Sequence, residues 1–218
     1  MKKAVPALLS VALIVASTSA MAEGESVDLT VTGSVVPSAC VPTLDSEELD
    51  WGKIQSSALH EALPLLLETK DLKLTVACAA PTKFGVQIID NKADSALPGT
   101  DPGYRGLGFV GDAKFPIGAY SVRSNDSTAD GSPAGNLLSV DKGLTWTHST
   151  GPLGLAIEST DWVGLTTAQA APWAPTAATN AVLNFKVQAL ISSRNQLPPI
   201  GEGDIALDGS STFEIKYL

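Results

Sequence analysis

Basic residues are scarce in this chain of 218 residues, with 14 lysines and arginines against 23 acids, a formal net charge of −9. With no arginine-rich stretch or basic patch, the sequence lacks what binding to a phosphate backbone requires, which argues against nucleic acid as a partner. Chemistry-bearing motifs are missing too. There is no Gly-x-Ser-x-Gly nucleophile turn, no His-Glu-x-x-His and no phosphate-cradling glycine loop. Two cysteines far apart and expected to be bridged to each other cannot make a four-ligand zinc site. Two histidines, His60 and His148, sit in no recognisable arrangement and read as ordinary surface residues. The expectation is a protein that is not an enzyme and carries no metal or cofactor. Helical periodicity is nearly absent. Past residue 22 no apolar run reaches the roughly 20 residues needed to span a bilayer, since Ala62–Leu67 is flanked by Glu61 and Glu68.

The beginning of the chain does carry a signal. Lys2 and Lys3, an apolar run from Val5 to Val15 and the small-residue stretch Ala20-Met21-Ala22 have the three-part form of a secretory leader. Cleavage is expected after Ala22. Removing residues 1–22 takes two lysines and no acids, so 12 basic and 23 acidic residues remain and the net charge becomes −11. The remaining 196 residues (218 minus 22) fit one domain and suffice to bury a core. In an oxidising compartment Cys40 and Cys78 are expected to pair, closing a loop of 38 residues.

Gly and Pro are scattered, and short runs alternate apolar with polar residues, the pattern of half-buried strands in a sandwich. The clearest strands are Val27–Thr32, Leu72–Cys78, Phe84–Ile89, Val182–Ile191 and Ser211–Leu218. Ser56–Glu68 has room for a turn or two of helix, interrupted by Pro64. Residues 91–136 are rich in Gly, Asp, Ser and Asn and read as loop, then a strand at Phe115–Val122, then loop. Two terminal runs keep strict period two. Val27, Leu29, Val31, Gly33 and Val35 form one face before Pro37, and Phe213, Ile215 and Tyr217 alternate with Thr212, Glu214 and Lys216.

Two weaker signals remain. Asp126 and Asp130 with Gly131 faintly suggest a calcium loop, but the spacing fails the full pattern. Of the four tryptophans, Trp51, Trp146, Trp162 and Trp173, the last three fall where a sugar-binding platform is conceivable, although core packing is the better default.

Taken in order, Leu29-x-Val31-x-Gly33-x-Val35-Val36 before Ala39-Cys40, then Asp50-Trp51-Gly52-Lys53-Ile54, a strand ending in Cys78, and the terminal Phe213-x-Ile215-x-Tyr217-Leu218 resemble chaperone–usher pilin subunits. The resemblance is densest toward uncharacterised fimbrial-like proteins of Gram-negative bacteria, which share Ala79–Phe84, Ile89-Asp90-Asn91 and Ile205-x-Leu207-Asp208-Gly209. Many pilins have a glycine about fourteen residues from the end, where this chain has Ile205.

The resemblance implies an all-β, incomplete immunoglobulin-like sandwich completed by a donor strand. Residues 1–22 would be the signal peptide, 23–36 the donor-strand extension and 37–218 the pilin-like domain. Val27, Leu29, Val31 and Val35 would enter pockets of a neighbouring subunit, with Gly33 placed where a side chain would clash. Phe213, Ile215, Tyr217 and Leu218 would form the strand that a periplasmic chaperone pairs with first, the Leu218 carboxylate meeting basic groups of the chaperone. The partners implied are that chaperone, an outer-membrane usher, neighbouring fimbrial subunits and a host or surface receptor. The expected function is a structural fimbrial subunit at the cell surface. An exported carbohydrate-binding protein or adhesin is the alternative, and a periplasmic hydrolase a more distant one. A tip adhesin would carry a further domain ahead of the pilin pattern, which here starts at residue 27.

Overall fold

The computed structural model describes residues 29–33, 39–149, 157–198 and 205–218. The chain divides into two units, Met1–Val35 and Val36–Leu218. In the first, Leu29–Gly33 carries no strand pairing, and Leu29 and Val31 are 88% and 86% exposed. The expected strand at Val27–Thr32 is therefore not formed over its described part. Alternation reports which face a strand would bury, not that a partner edge is at hand.

The second unit is all-β, and its described helical content is three single turns at Ser56–Ala58, Ala93–Ser95 and Arg194–Gln196. Among the described residues twelve strands follow in chain order: β1 Cys40–Leu44, β2 Leu65–Thr82, β3 Phe84–Asp90, β4 Tyr104–Gly106, β5 Phe109–Val110, β6 Phe115–Pro116, β7 Gly118–Ala129, β8 Ser132–Ser139, β9 Thr147–His148, β10 Trp162–Thr166, β11 Ala178–Ile191 and β12 Ser211–Tyr217. Pairing runs β1-β2-β11-β7-β8-β10-β3-β12, antiparallel at every step, with β4 on β7 and β9 on β8. The path wraps round one core, so β2, β11 and β7 form one wall and β10, β3 and β12 the other.

Period-two patterning explains the core. Leu72, Leu74 and Val76 of β2, Leu183, Phe185 and Val187 of β11, Val86 and Ile88 of β3, and Val163 and Leu165 of β10 are buried together with Ile157. The predicted strands at Leu72–Cys78, Phe84–Ile89 and Val182–Ile191 lie within β2, β3 and β11, and that at Ser211–Leu218 is β12 with one residue beyond its end. Ser56–Glu68 supplies only the single turn at Ser56–Ala58, and β2 begins one residue after Pro64.

The largest departure is in residues 91–136. Gly118–Ala129 is a twelve-residue strand flanked by β11 and β8, and a second strand begins at Ser132. Its Ser121, Ser124 and Ser127 are buried, so tertiary pairing overrides the turn-like composition. Asp130 and Gly131, whose spacing fails the calcium-loop pattern, are the two-residue turn of the β7–β8 hairpin. Both have positive φ, 48° and 78°, as an Asp-Gly hairpin turn demands. The Asp130 carboxylate accepts from Thr179 N at 3.0 Å and Asn180 N at 2.7 Å and so ties the turn to β11.

Cys40 and Cys78 are joined as a disulfide and are paired in register between β1 and β2. No helix among the described residues is long and apolar enough to cross a membrane.

Candidate functional site: an open seam between the end strands

Among the described residues the pairing path does not close. Its first and last strands, β1 and β12, face each other across a groove of about 950 Å³. The floor consists of core residues, among them Leu72, Leu107, Tyr120, Val122, Val187 and Leu197. One wall is Leu44 of β1 and the following segment to Leu59, the other Ile205–Ser211 and Phe213. Neither Leu49–Ile54 nor Ile205–Ser210 belongs to a strand, yet Leu49 with Trp51 and Ile205 with Leu207 keep period two. Leu49, Trp51 and Ile54 are half-buried on one side, and Ile205 and Leu207 on the other, with exposed residues between.

Backbone register gives the seam its chemistry. Leu218 N donates to Lys83 O and Asn91 N to Ser210 O, so the even-numbered residues of β12 are those bonded to β3. In an antiparallel ladder the intervening residues turn their N–H and C=O the other way. Ser211, Phe213, Ile215 and Tyr217 thus present their main chain to the seam. On β1, Asp45 N donates to Lys73 O and Ala79 N to Ala39 O, which leaves Cys40, Pro42 and Leu44 facing the seam. Pro42 has no N–H to offer, as suits an edge strand. The upper edge of β2 is shielded by side chains instead, with Lys73 N donating to Asp45 Oδ1 and Trp51 Nε1 to Glu68 O, each at 2.9 Å.

The approach to β12 is pinned at one point. Asn91 Nδ2 donates to Ser210 Oγ and Thr212 Oγ1, both at 3.0 Å, and Lys92 Nζ lies 2.5 Å from Asp208 Oδ2. Tyr120, on the groove floor, shares a 2.6 Å hydrogen bond with Ser211 Oγ. Burial pushes the Tyr120 phenol above its usual range, and the Ser211 bond opposes this. Behind it, Arg105 is 1% exposed and donates to Ile88 O and Gly103 O. Burial lowers its pKa, opposed by Tyr120, Asp90 and Asp161.

Of the residues predicted for the C-terminal strand, Phe213 lines the groove, its ring 5.7 Å from that of Phe185. Ile215 is half-buried against the core. Tyr217 is 43% exposed and its hydroxyl accepts from Cys40 N at 2.9 Å. Leu218 is half exposed. On the donor side only Leu29, Val31 and Gly33 are described, and a Cβ on Gly33 would meet nothing within 4 Å. Val27 and Val35 lie outside the described residues.

From the sequence, Asp50–Ile54 and Ile205-x-Leu207 count only as elements of the resemblance and neither is placed on a groove wall; the period-two pairs Leu49/Trp51 and Ile205/Leu207 are the available signal. Ile205, standing where a glycine was expected, is the first described groove residue ahead of β12.

The other candidates lie elsewhere. His60 is exposed, its carbonyl accepting from Arg194 N. His148 stacks on Trp173 with ring centroids 4.5 Å apart, and its Nδ1 is buried without a partner. Trp146 and Trp162 are also half-buried. A Cβ on Gly85 would meet both rings, and one on Gly164 would meet Trp146 at 2.8 Å. These rings pack on the face of the sheet away from Val86 and Val163, outside the core, so the core-packing expectation holds for Trp51 alone, which packs against the core. Among the described residues no cluster of three His, Cys, Asp or Glu could hold a metal.

Fold and seam together define an all-β sandwich, opened along one edge, with a single disulfide. Residues 29–121 match the model of a family described as "Protein of unknown function (DUF1120)". The chain is also similar to Protein GltF of Escherichia coli (strain K12), 26% identical over 253 aligned positions that cover 100% of this chain and 98% of that protein.

Proposed function

We infer that this chain is a structural subunit of a bacterial surface fimbria, exported by its leader, whose seam is filled by an extended strand from another copy. One observation carries the reading. A groove with an apolar floor and mixed walls lies between two end strands that each pair on one side only among the described residues, while the apolar alternation at Leu29 and Val31 is left exposed. An unpaired edge beside an apolar groove is an aggregation hazard, and strand addition removes it with main-chain bonds for affinity and pockets for specificity.

Length supports the match. The seam wall from Ile205 to Ile215 is 11 residues, and Val27–Val36 offers 10. Before assembly the same edge would be covered by a periplasmic chaperone, with an outer-membrane usher handing subunits on. A contribution to adhesion follows from the surface location.

The test moves residues 23–36 from the front of the chain to a position after Leu218, joined by a short turn. The fused protein is expected to be a soluble monomer with a much higher melting temperature than the chain simply lacking residues 23–36. If the deletion alone is equally stable and monomeric, the sandwich is already complete and the reading fails.

A further inference from the structure

The seam is a wedge rather than a slot. It is open from Leu44 to Ile54 on one wall and from Ile205 to Phe213 on the other, and its lining stops short of Cys40 and Ile215. At the narrow end the Tyr217 side chain, although 43% exposed, reaches across from β12, and its hydroxyl takes the Cys40 N–H at 2.9 Å. Cys40 is anchored on the far side by the disulfide to β2. This contact joins the first strand of the pairing path to the last, 177 residues apart.

We propose that Tyr217 is a clasp and stop, a positioning residue that ties the two end strands together and fixes how far an incoming strand can pair along β12. This rests on the strand-acceptor reading above and adds to it a register. Of the four residues of β12 that turn their main chain to the seam, Ser211, Phe213 and Ile215 are available to the strand. Tyr217 is not, because its ring and the bond to Cys40 N already occupy the gap. The N–H of Cys40 is likewise spent on the phenol, and Pro42 has none. Leu44 is then the seam-facing donor of β1 that remains for the strand, so β12 supplies most of the pairing and the stop sets its end.

The experiment uses the chain from residue 23 at nanomolar concentration, with fluorescent peptides in excess. One peptide is residues 23–36, and two others extend it by two apolar residues, one at each end. Each is titrated against the unaltered chain, Tyr217→Phe and Tyr217→Ser, and amide exchange at Cys40 is followed in all three proteins without peptide. The clasp predicts Cys40 exchange at least tenfold faster in both variants. The stop predicts that one extended peptide, and only one, gains threefold or more in affinity on Tyr217→Ser, with new protection of the amide at position 217.

Equal changes for all three peptides, or none, would overturn the stop and leave the acceptor reading intact. Failure of every peptide to bind any of the three proteins would overturn the acceptor reading and the stop together. Unchanged Cys40 exchange would overturn the clasp.

Discussion

Asn91 and Ser210 lie 119 residues apart in the chain and are hydrogen-bonded twice, Asn91 N to Ser210 O and Asn91 Nδ2 to Ser210 Oγ, each at 3.0 Å. With Asn91 Nδ2 also on Thr212 Oγ1, one side chain fastens the start of β12 to the end of β3. Asn91→Ala should cost about 1 kcal/mol in urea unfolding. It should weaken capture of an added strand by more than that stability loss explains, because the wall leading into β12 is no longer held.

The disulfide holds β1 against β2 at the closed end of the seam. Replacing both cysteines with serine releases a constraint spanning 38 residues, worth about 3–4 kcal/mol in the chain-entropy view. Denaturant titration of the paired-serine variant against the oxidised protein measures it.

Gly118 begins β7 against the end of β11, where a Cβ would stand 2.1 Å from Leu190 O. That neighbour is backbone and cannot rotate away. Gly118→Ala should destabilise by about 1–3 kcal/mol, read from the unfolding midpoint.

The loop after β8 is organised by Asp141. Its carboxylate accepts from Thr145 Oγ1 at 2.6 Å, Thr145 N at 2.8 Å and Ser139 Oγ at 2.7 Å. These bonds, that of the Thr145 side chain foremost, lower its pKa to about 2 from an ordinary 3.8. Because the folded value is the depressed one, the loop's contribution is complete above pH 3.8 and is lost as pH falls through about 2. Carboxyl NMR shifts should titrate near 2 in the unaltered protein and move toward 3.8 in Thr145→Val.

Much of the fold was legible because half-burial writes itself as period two. Leu72–Cys78, Phe84–Ile89 and Val182–Ile191 lie within strands for that reason. Gly118–Ala129 hid its full length because a central strand can bury Ser121, Ser124 and Ser127 once both neighbours satisfy its backbone, and composition does not record neighbours. The Asp130-Gly131 dipeptide is itself a hairpin-turn signal, and its spacing fails the calcium-loop pattern.

The seam was half legible. Phe213 and Ile215 followed from alternation, but its other wall, Leu49 to Ile54, forms no strand, and nothing local says that it faces Ile205 and Leu207. Two motifs quoted separately, Ile89-Asp90-Asn91 and Ile205-x-Leu207-Asp208-Gly209, lead into the one joint that pins β12. Asn91 bonds to Ser210, next after Gly209, and Lys92, next after Asn91, pairs with Asp208. Only the three-dimensional structure brings them together.

The central claim is that a strand from another copy pairs with the seam edge of β12, and residue-resolved amide exchange tests it most directly. The protein lacking residues 23–36 is compared with and without an excess of the peptide spanning them. The account predicts an alternating result: the amides of Phe213 and Ile215, which face the seam, become strongly protected, while Thr212 and Glu214, already bonded to β3, change little. Protection that is absent, or that rises equally at all four positions, would contradict it.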